Sequence, residues 1–346
     1  MHTFRQSMAV ITGIAYYLPE QSVPSRMIEE QVQASSGGFV LPRGLIERLS
    51  GVAHRYHLAE GSSSDLAVEA GRRALQRANL EPSQIDMLIF AAASHDVAEP
   101  ATANVVQEKL GCTRAHVFDV KNACNSFLNA LDVAHAFIQT RRASRVLIAT
   151  GEMLSPTINM QINNLDDLHL KFAGLTLGDA GAACVVEGVS AAADAAPRGV
   201  LPGRFYSDGS QWRLSTIMSG GTLLKHDTSR MYFECQPAPL QDLALEWVPR
   251  LIEQTLTELE WNLQRDVALV VAHQVSKRLT RRLCAATGYP LERCMVTLDQ
   301  VGNTAAASIP IALSMAVEAG RVQRGDRILL VGGAAGFSAG VVPLIW

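Results

Sequence analysis

The sequence has 346 residues, of which 48% are hydrophobic and 18% charged, and 30 basic and 33 acidic side chains give a net charge of −3. This composition is typical of a globular protein with room for two domains, and it lacks the blocks of like charge that bind nucleic acid. No apolar run approaches the roughly 20 residues of a membrane-spanning helix.

The N-terminus and the cysteines favour a cytoplasmic protein. Residues 1–19 have weak apolar character and no cleavage pattern, so they predict a first strand and not a signal peptide. No two cysteines have CxxC spacing, and without an export signal we expect reduced thiols, most of them small buried residues. The six are Cys112, Cys124, Cys184, Cys235, Cys284 and Cys294.

Three segments of the first half of the chain recur, in the same order, in the second half. The matched segments are 74–93 with 255–273, 117–137 with 295–317, and 142–152 with 324–334. The matched residues are Asp86 with Asp266, Cys124 with Asn303, and Arg145 with Arg327, at offsets of 179 to 182. This duplication predicts two similar halves, 1–187 and 188–346, connected by the small-residue stretch 188–200.

The apolar pattern predicts the fold class. Short, fully apolar strands alternate with helices, which favours mostly parallel sheets covered on both faces. The helix after Cys124 is apolar nearly all round, as expected of a helix enclosed between two sheets. The predicted class is therefore α/β, with two pseudo-symmetric halves.

Three residues are candidates for chemistry because each lies between a strand and a helix. Cys124 precedes the helix of the first repeat, where free backbone N–H groups favour a thiolate and lower the thiol pKa from about 8.5. His273 ends an apolar strand, where clefts open in α/β sheets, and Asn303 lies in the matching turn of the second repeat. Singly, such residues are more often a core cysteine, a core histidine and a helix cap. Together they supply a nucleophile and two donors for a carbonyl or enolate oxygen.

Weaker features accompany these candidates. The Gly-rich segment 332–340 predicts a tight turn that could present backbone N–H groups to a thioester oxygen. The most basic stretch, residues 277–282, is typical of a solvated helix face and, if functional, fits an acidic carrier protein. The remaining histidines show no metal-ligand spacing, so we expect neither a metal nor a cofactor.

As a set, these motifs resemble the thiolase superfamily and, within it, the β-ketoacyl-acyl carrier protein synthase III group. The resemblance covers nearly the whole chain, and the order of Cys, His-Gln and Gly-Asn is its most specific part. The segments that carry it are residues 62–91, 122–124, 177–188, 272–278, 302–310 and 332–340.

The resemblance implies a thiolase fold of five layers, αβαβα, in a homodimer that acts on thioesters of coenzyme A or acyl carrier protein. It implies that Cys124 carries the acyl group. His273 and Asn303 would then stabilise the carbonyl or enolate of the second substrate. The implied oxyanion donors are the backbone N–H groups of Cys124 and Ala335.

The chain departs from the fatty-acid starter enzymes of this group. It has no tryptophan before Trp212 to stack on the adenine of coenzyme A, and Ser276 replaces an asparagine of the histidine loop. Glu99 precedes Pro100 on a loop that resembles the olefin-pathway thiolases, which join two fatty acyl thioesters head to head. There, a glutamate acts as a base from the other subunit. The alternative for Glu99 is a solvated loop carboxylate.

These features predict a condensing enzyme that acylates Cys124 and then forms a C–C bond by Claisen condensation, in secondary metabolism or specialised lipid synthesis. The second unit is either malonyl-type or a (β-keto)acyl thioester deprotonated by Glu99. Two alternatives are an acyltransferase to oxygen or nitrogen, and a non-catalytic ketosynthase partner. We expect residues such as Phe127, Met160 and Leu175 to set the depth of the acyl tunnel.

Overall fold

The computed structural model describes residues 7–190, 198–225 and 227–346. The predicted first strand is present from Ser7, whereas residues 1–6 and residues 191–197 of the predicted connection lie outside the described ranges. No helix within these ranges is long and apolar enough to cross a membrane.

The strands are β1 (Ser7–Tyr17), β2 (Gln21–Pro24), β3 (His54–His57), β4 (Met87–Ala91), β5 (His116–Val120), β6 (Arg145–Glu152), β7 (Ala180–Ser190), β8 (Gly199–Val200), β9 (Arg204–Ser207), β10 (Ser215–Thr216), β11 (Glu234–Cys235), β12 (Val267–Ala272), β13 (Arg327–Ala334) and β14 (Ser338–Ile345). The helices are α1 (Ser25–Ser35), α2 (Leu45–Ser50), α3 (Ser63–Ala78), α4 (Thr102–Leu110), α5 (Ser126–Gln139), α6 (Leu165–Lys171), α7 (Pro237–Leu259), α8 (Leu263–Asp266), α9 (Lys277–Thr287), α10 (Leu298–Val301) and α11 (Ser308–Glu318).

Ten strands form one mixed sheet in the order β12-β13-β14-β8-β1-β7-β6-β4-β5, with β9 paired to β14. In the first half, β4 is parallel to β6 and β7 is antiparallel to β6. The second half repeats this pattern, since β12 is parallel to β13 and β14 is antiparallel to β13. The short strand β8 pairs with both β1 and β14 and so joins the two patterns. The repeated topology confirms the pseudo-symmetric halves, whereas the boundary near residue 187 stays a prediction.

The residues matched by the duplication make equivalent contacts. Asp86 precedes β4, and its carboxylate accepts the backbone N–H groups of Ser144 and Arg145 at 2.9 Å, where β6 begins. Asp266 precedes β12, and its carboxylate lies 3.6 Å from the guanidinium of Arg327, where β13 begins. In each half, therefore, an acidic residue just before one strand contacts the start of the neighbouring parallel strand.

Side chains alternate between three apolar clusters, which define five layers. Ile89, Ile148 and Leu330 point inward, to a central core that contains α5 and α11. Leu88 and Leu147 point outward, to the core beneath α3 and α4. On the far face of the second half, Leu329 and its neighbours pack against α7 and α9. This confirms the predicted αβαβα arrangement and places the helix after Cys124 between the two halves of the ten-stranded sheet.

Candidate active site

A cavity of about 790 Å³ collects four of the predicted site residues. Cys124, His273, Asn303 and Ala335 line it, together with mostly apolar side chains. Cys124, His273 and Ala335 follow the strands β5, β12 and β13. Asn303 follows the short helix α10, so the prediction of a strand before Asn303 is wrong. The predicted residues therefore form one constellation within a single chain.

The turns around the cavity hold strained backbone. Ala123, Ala305 and Phe337 are non-glycine residues with positive φ, at 46°, 42° and 24°, and all three line the cavity. Such a conformation costs on the order of 1–3 kcal/mol and persists only where the surrounding structure enforces it. The strain lies beside Cys124 and Asn303 and near Ala335, which marks these turns as a functional site.

The thiol of Cys124 is packed deep in the protein, and its pKa is raised to about 12. Burial is the largest cause, and the nearby carboxylate of Glu152 adds to it. The backbone N–H groups of Cys124 and Ala335 act in the opposite direction and lower the pKa. The expected net lowering of the Cys124 pKa is therefore wrong for the free chain, because desolvation of the thiolate outweighs the N–H groups. These two N–H groups nevertheless lie next to the sulfur, as an oxyanion hole requires.

His273 follows β12, and its backbone N–H donates to the carbonyl of Val331 at 2.8 Å. Its Nδ1 lies 2.7 Å from the Ser308 hydroxyl, while Nε2 is buried and has no partner among the described residues. Burial lowers the pKa of His273 to about 4, so the ring is neutral at pH 7. Gln274, the residue after His273, ties this turn to the segment that leads to Asn303. Its side-chain N–H donates to the Met295 carbonyl, and its side-chain oxygen accepts the N–H groups of Thr297 and Leu298.

Asn303 is held by backbone contacts to the first half of the chain. Its N–H donates to the Thr176 carbonyl at 2.9 Å, and its carbonyl accepts the Gly178 N–H at 3.0 Å. Gly302 has φ +71°, and a Cβ there would lie 2.8 Å from Arg55 Cβ, so only glycine fits before Asn303. The Asn303 Oδ1 accepts the Ala305 N–H at 3.0 Å, which leaves Nδ2 as the amide group able to donate into the cavity.

Glu152 is a residue that the sequence reasoning missed. It ends β6, is fully buried, and accepts hydrogen bonds from the N–H groups of Ala93, Ser94 and Ala306 and from the Ser94 hydroxyl. Ala93 lines the cavity, and Ala306 follows the Asn303 turn, so this carboxylate joins the turns of both halves. A glutamate at the end of an otherwise apolar strand was the available signal.

Other predicted residues do not line the cavity. Glu99 is exposed on the loop between β4 and α4 and does not line the cavity of its own chain. Phe127, Met160 and Leu175 do not line it either, because they pack into the apolar cores. The wall is formed instead by residues such as Leu177, Phe233 and Leu240.

The basic stretch begins α9, at the rim of the cavity. Ser276 caps this helix, since its hydroxyl accepts the Leu279 N–H at 3.1 Å, which gives a local reason for serine there. Arg278 lines the cavity, and Arg281 is exposed. Within the described part of the chain, no three His, Cys, Asp or Glu side chains are grouped to hold a metal ion.

The sequence matches two models of one family. Residues 118–209 match 3-oxoacyl-[acyl-carrier-protein] synthase III, and residues 258–346 match the C-terminal model of the same enzyme. A β-ketoacyl-[acyl-carrier-protein] synthase III of Cereibacter sphaeroides is 33% identical over 341 residues, which are 98% of this chain and 99% of the relative.

Solved structures are similar over the same length. The 3-oxoacyl-(acyl carrier protein) synthase III, FabH, of Pseudomonas aeruginosa has a TM-score of 0.85 and 27% identity, and 98% of each chain is covered. OleA of Xanthomonas campestris, with bound lauric acid and lauroyl-CoA, has a TM-score of 0.87 and 25% identity over 98% of this chain and 99% of OleA. The thiolase-type fold, the family models and the long relatives agree, and the chain belongs to the 3-oxoacyl-[acyl-carrier-protein] synthase III family of condensing enzymes, a class of acyltransferases.

Proposed function

We propose that the protein moves an acyl group from a coenzyme A or carrier-protein thioester to Cys124 and then joins it to a second thioester by Claisen condensation. The observation that carries this proposal is the meeting of Cys124, His273, Asn303 and Ala335 in one mostly apolar cavity. In the first step the sulfur attacks the thioester carbonyl, and the N–H groups of Cys124 and Ala335 bind the oxyanion. The donor thiolate then leaves.

The second step uses the side chains of Asn303 and His273 in the same cavity. The second thioester becomes an enolate, either by loss of CO2 from a malonyl-type unit or by loss of an α-proton. Asn303 Nδ2 and the ring of His273 bind its oxygen. The enolate carbon attacks the acyl group on Cys124, a C–C bond forms, and the Cys124 thiolate is released.

The cavity supports an acyl chain longer than acetyl. Its volume of about 790 Å³ lies within the roughly 300–1,000 Å³ of pockets that enclose drug-sized ligands, and its wall is mostly apolar. The similar OleA structure binds lauric acid and lauroyl-CoA. A long acyl substrate favours a role in specialised lipid or secondary metabolism over the starter step of fatty-acid synthesis. The absence of a tryptophan before Trp212 supports the same choice.

The proposed partners are an acidic carrier protein and a second copy of the chain. Arg278 lines the cavity and Arg281 is exposed on the same helix, α9, and their charges fit a carrier-protein surface rich in carboxylates. The strand β5 is at one end of the sheet and, among the described residues, pairs with β4 alone, so this edge is open to a second copy. In such a homodimer, the exposed Glu99 would act as a base in the partner's cavity.

One experiment tests the condensation and a second tests the shared site. Enzyme acylated with dodecanoyl-CoA is offered malonyl-CoA or more dodecanoyl-CoA, and the β-ketoacyl products are identified by mass spectrometry. Transfer only to oxygen or nitrogen, or no product with any acyl-CoA or acyl carrier protein, contradicts the proposal.

For the partner role, Glu99→Ala and Cys124→Ala variants are mixed. Activity that is absent in each alone and returns on mixing supports a shared site, and no return contradicts it.

A further inference from the structure

The Ser308 hydroxyl lies between the ring of His273 and a backbone carbonyl. Ser308 begins α11 and is 3% exposed. Its Oγ lies 2.7 Å from His273 Nδ1 and 2.8 Å from the carbonyl oxygen of Ala305. Both contacts have hydrogen-bond length, but the hydroxyl has one proton and can donate in only one of the two directions.

The two directions give His273 opposite properties. If Ser308 donates to Nδ1, the ring proton is on Nε2, and Ser308 makes one bond of the pair. If Ser308 donates to the Ala305 carbonyl, Nδ1 carries the ring proton and donates to Oγ, so both bonds form. The second arrangement satisfies more buried polar groups in the free protein, and it leaves an unpaired acceptor at Nε2 where the first leaves an unpaired donor.

We infer that Ser308 is a positioning residue that holds the proton of His273 on Nδ1 and leaves Nε2 as an acceptor at the cavity in the free enzyme. The bond chain runs from the Nδ1–H of His273 to Ser308 Oγ, and from the Ser308 hydroxyl to the Ala305 carbonyl. The site geometry supports it, since Nε2 is buried and has no partner among the described residues. In a neutral imidazole, the hydrogen bond made by one ring nitrogen decides whether the other nitrogen is a donor or an acceptor.

This tautomer explains where the thiol proton of Cys124 goes during the reaction, a consequence that rests on the proposed function. Cys124 is a protonated, half-buried thiol, so its attack requires an acceptor for the S–H proton. As the sulfur bonds to the acyl carbon, the proton moves from sulfur to Nε2 and then to the departing donor sulfur, which leaves as a thiol, so the ring is neutral again. In the second step Nε2 takes a proton from solvent as the anionic enolate forms, and the resulting imidazolium donates Nε2–H to the enolate oxygen. When the C–C bond forms and the Cys124 thiolate leaves, Nε2 returns the proton to it.

The tautomer is measurable without substrate. Full-length protein with ¹⁵N-labelled histidine rings is compared with His273→Asn, which identifies the resonances of His273. We expect the wild-type Nδ1 to be protonated and Nε2 unprotonated. Ser308→Ala removes the acceptor and should shift the ring toward Nε2–H, whereas Ser308→Thr keeps the hydroxyl and should keep the wild-type pattern. Ser314→Ala is the matched control, since Ser314 is a fully buried serine of the same helix.

Two results would overturn the inference. One is a wild-type spectrum with the proton on Nε2, which needs no variant to fold. The other is a Ser308→Ala spectrum like that of the wild type. As a functional readout, single-turnover acylation of Cys124 should slow at least tenfold in Ser308→Ala and stay unchanged in Ser314→Ala. Since the tautomer is read in the free enzyme, a failed condensation assay with the expected spectrum refutes the proposed reaction but not the role of Ser308.

Discussion

Replacing Glu152 tests whether one buried carboxylate holds the turns of both halves in place. Glu152→Ala leaves the N–H groups of Ala93, Ser94 and Ala306 without their acceptor, since all three donate to it at 2.8–3.1 Å. An unpaired buried donor costs about 1–3 kcal/mol, and partial relief by water and by rotation of the Ser94 hydroxyl gives a loss of about 3–5 kcal/mol.

The assay is urea unfolding of Glu152→Ala beside Glu187→Ala. Glu187 lies on the neighbouring strand β7 and pairs with Arg145 in a partly exposed ion pair. We expect its loss to cost less than about 1 kcal/mol. If the free energy of unfolding of Glu152→Ala lies within 1 kcal/mol of the wild-type value, the carboxylate does not hold the turns in place.

The same carboxylate raises the pKa of the Cys124 thiol, so Glu152→Gln should lower that pKa. At pH 9 the fraction of thiolate would then rise, by about tenfold for each pKa unit. The measurement is the rate of Cys124 alkylation by iodoacetamide, read by intact mass. An unchanged or slower rate would show that the charge of Glu152 does not act on the sulfur.

Three further predictions follow from the cavity and its turns. The pKa of His273 is lowered to about 4, so the unfolded chain binds a proton that the folded chain does not as pH falls below 6.5. The stability that the neutral His273 contributes is therefore present above pH 6.5, and about 3 kcal/mol of it is lost as the pH falls toward 4. Unfolding curves at pH 7.5 and 4.5 should show this loss for the wild type and not for His273→Asn. Leu240→Trp narrows the cavity and should reduce labelling by dodecanoyl-CoA at least tenfold relative to butanoyl-CoA, whereas Leu240→Met should not; equal labelling of both chains would place the acyl group elsewhere. Gly302→Ala forces a contact with Arg55 at positive φ and should destabilise by more than about 1 kcal/mol, in excess of Gly325→Ala, where φ is also positive but the space is open.

The layers and the nucleophile turn were predictable because they depend on local patterns. Fully apolar strands, and a helix after Cys124 that is apolar nearly all round, must be buried on both sides, whichever elements pack against them. The duplication matched Asn303 with Cys124, and the structure brings both residues to one cavity with His273, which ends the apolar strand β12 as predicted.

The remaining features depend on contacts between distant segments. Glu152 acts on residues 93, 94 and 306, and Ser308 acts on His273, and neither pairing has a local pattern. The pKa of Cys124 was predicted in the wrong direction for the same reason. The turn supplies N–H groups locally, but burial by the rest of the protein determines the balance. The proposed role of Glu99 depends on a second chain, because Glu99 does not line the cavity of its own chain.

Covalent labelling of Cys124 tests the central claim most directly. The wild type, Cys124→Ala and Cys235→Ala are incubated with acyl-CoAs of increasing length and with acylated carrier protein, and intact mass is recorded. Cys235 is the matched control because its side chain lines the same cavity. We predict one acyl increment on the wild type and on Cys235→Ala, and none on Cys124→Ala. Acylation that persists in Cys124→Ala, or no acylation of the wild type by any donor, would contradict the account.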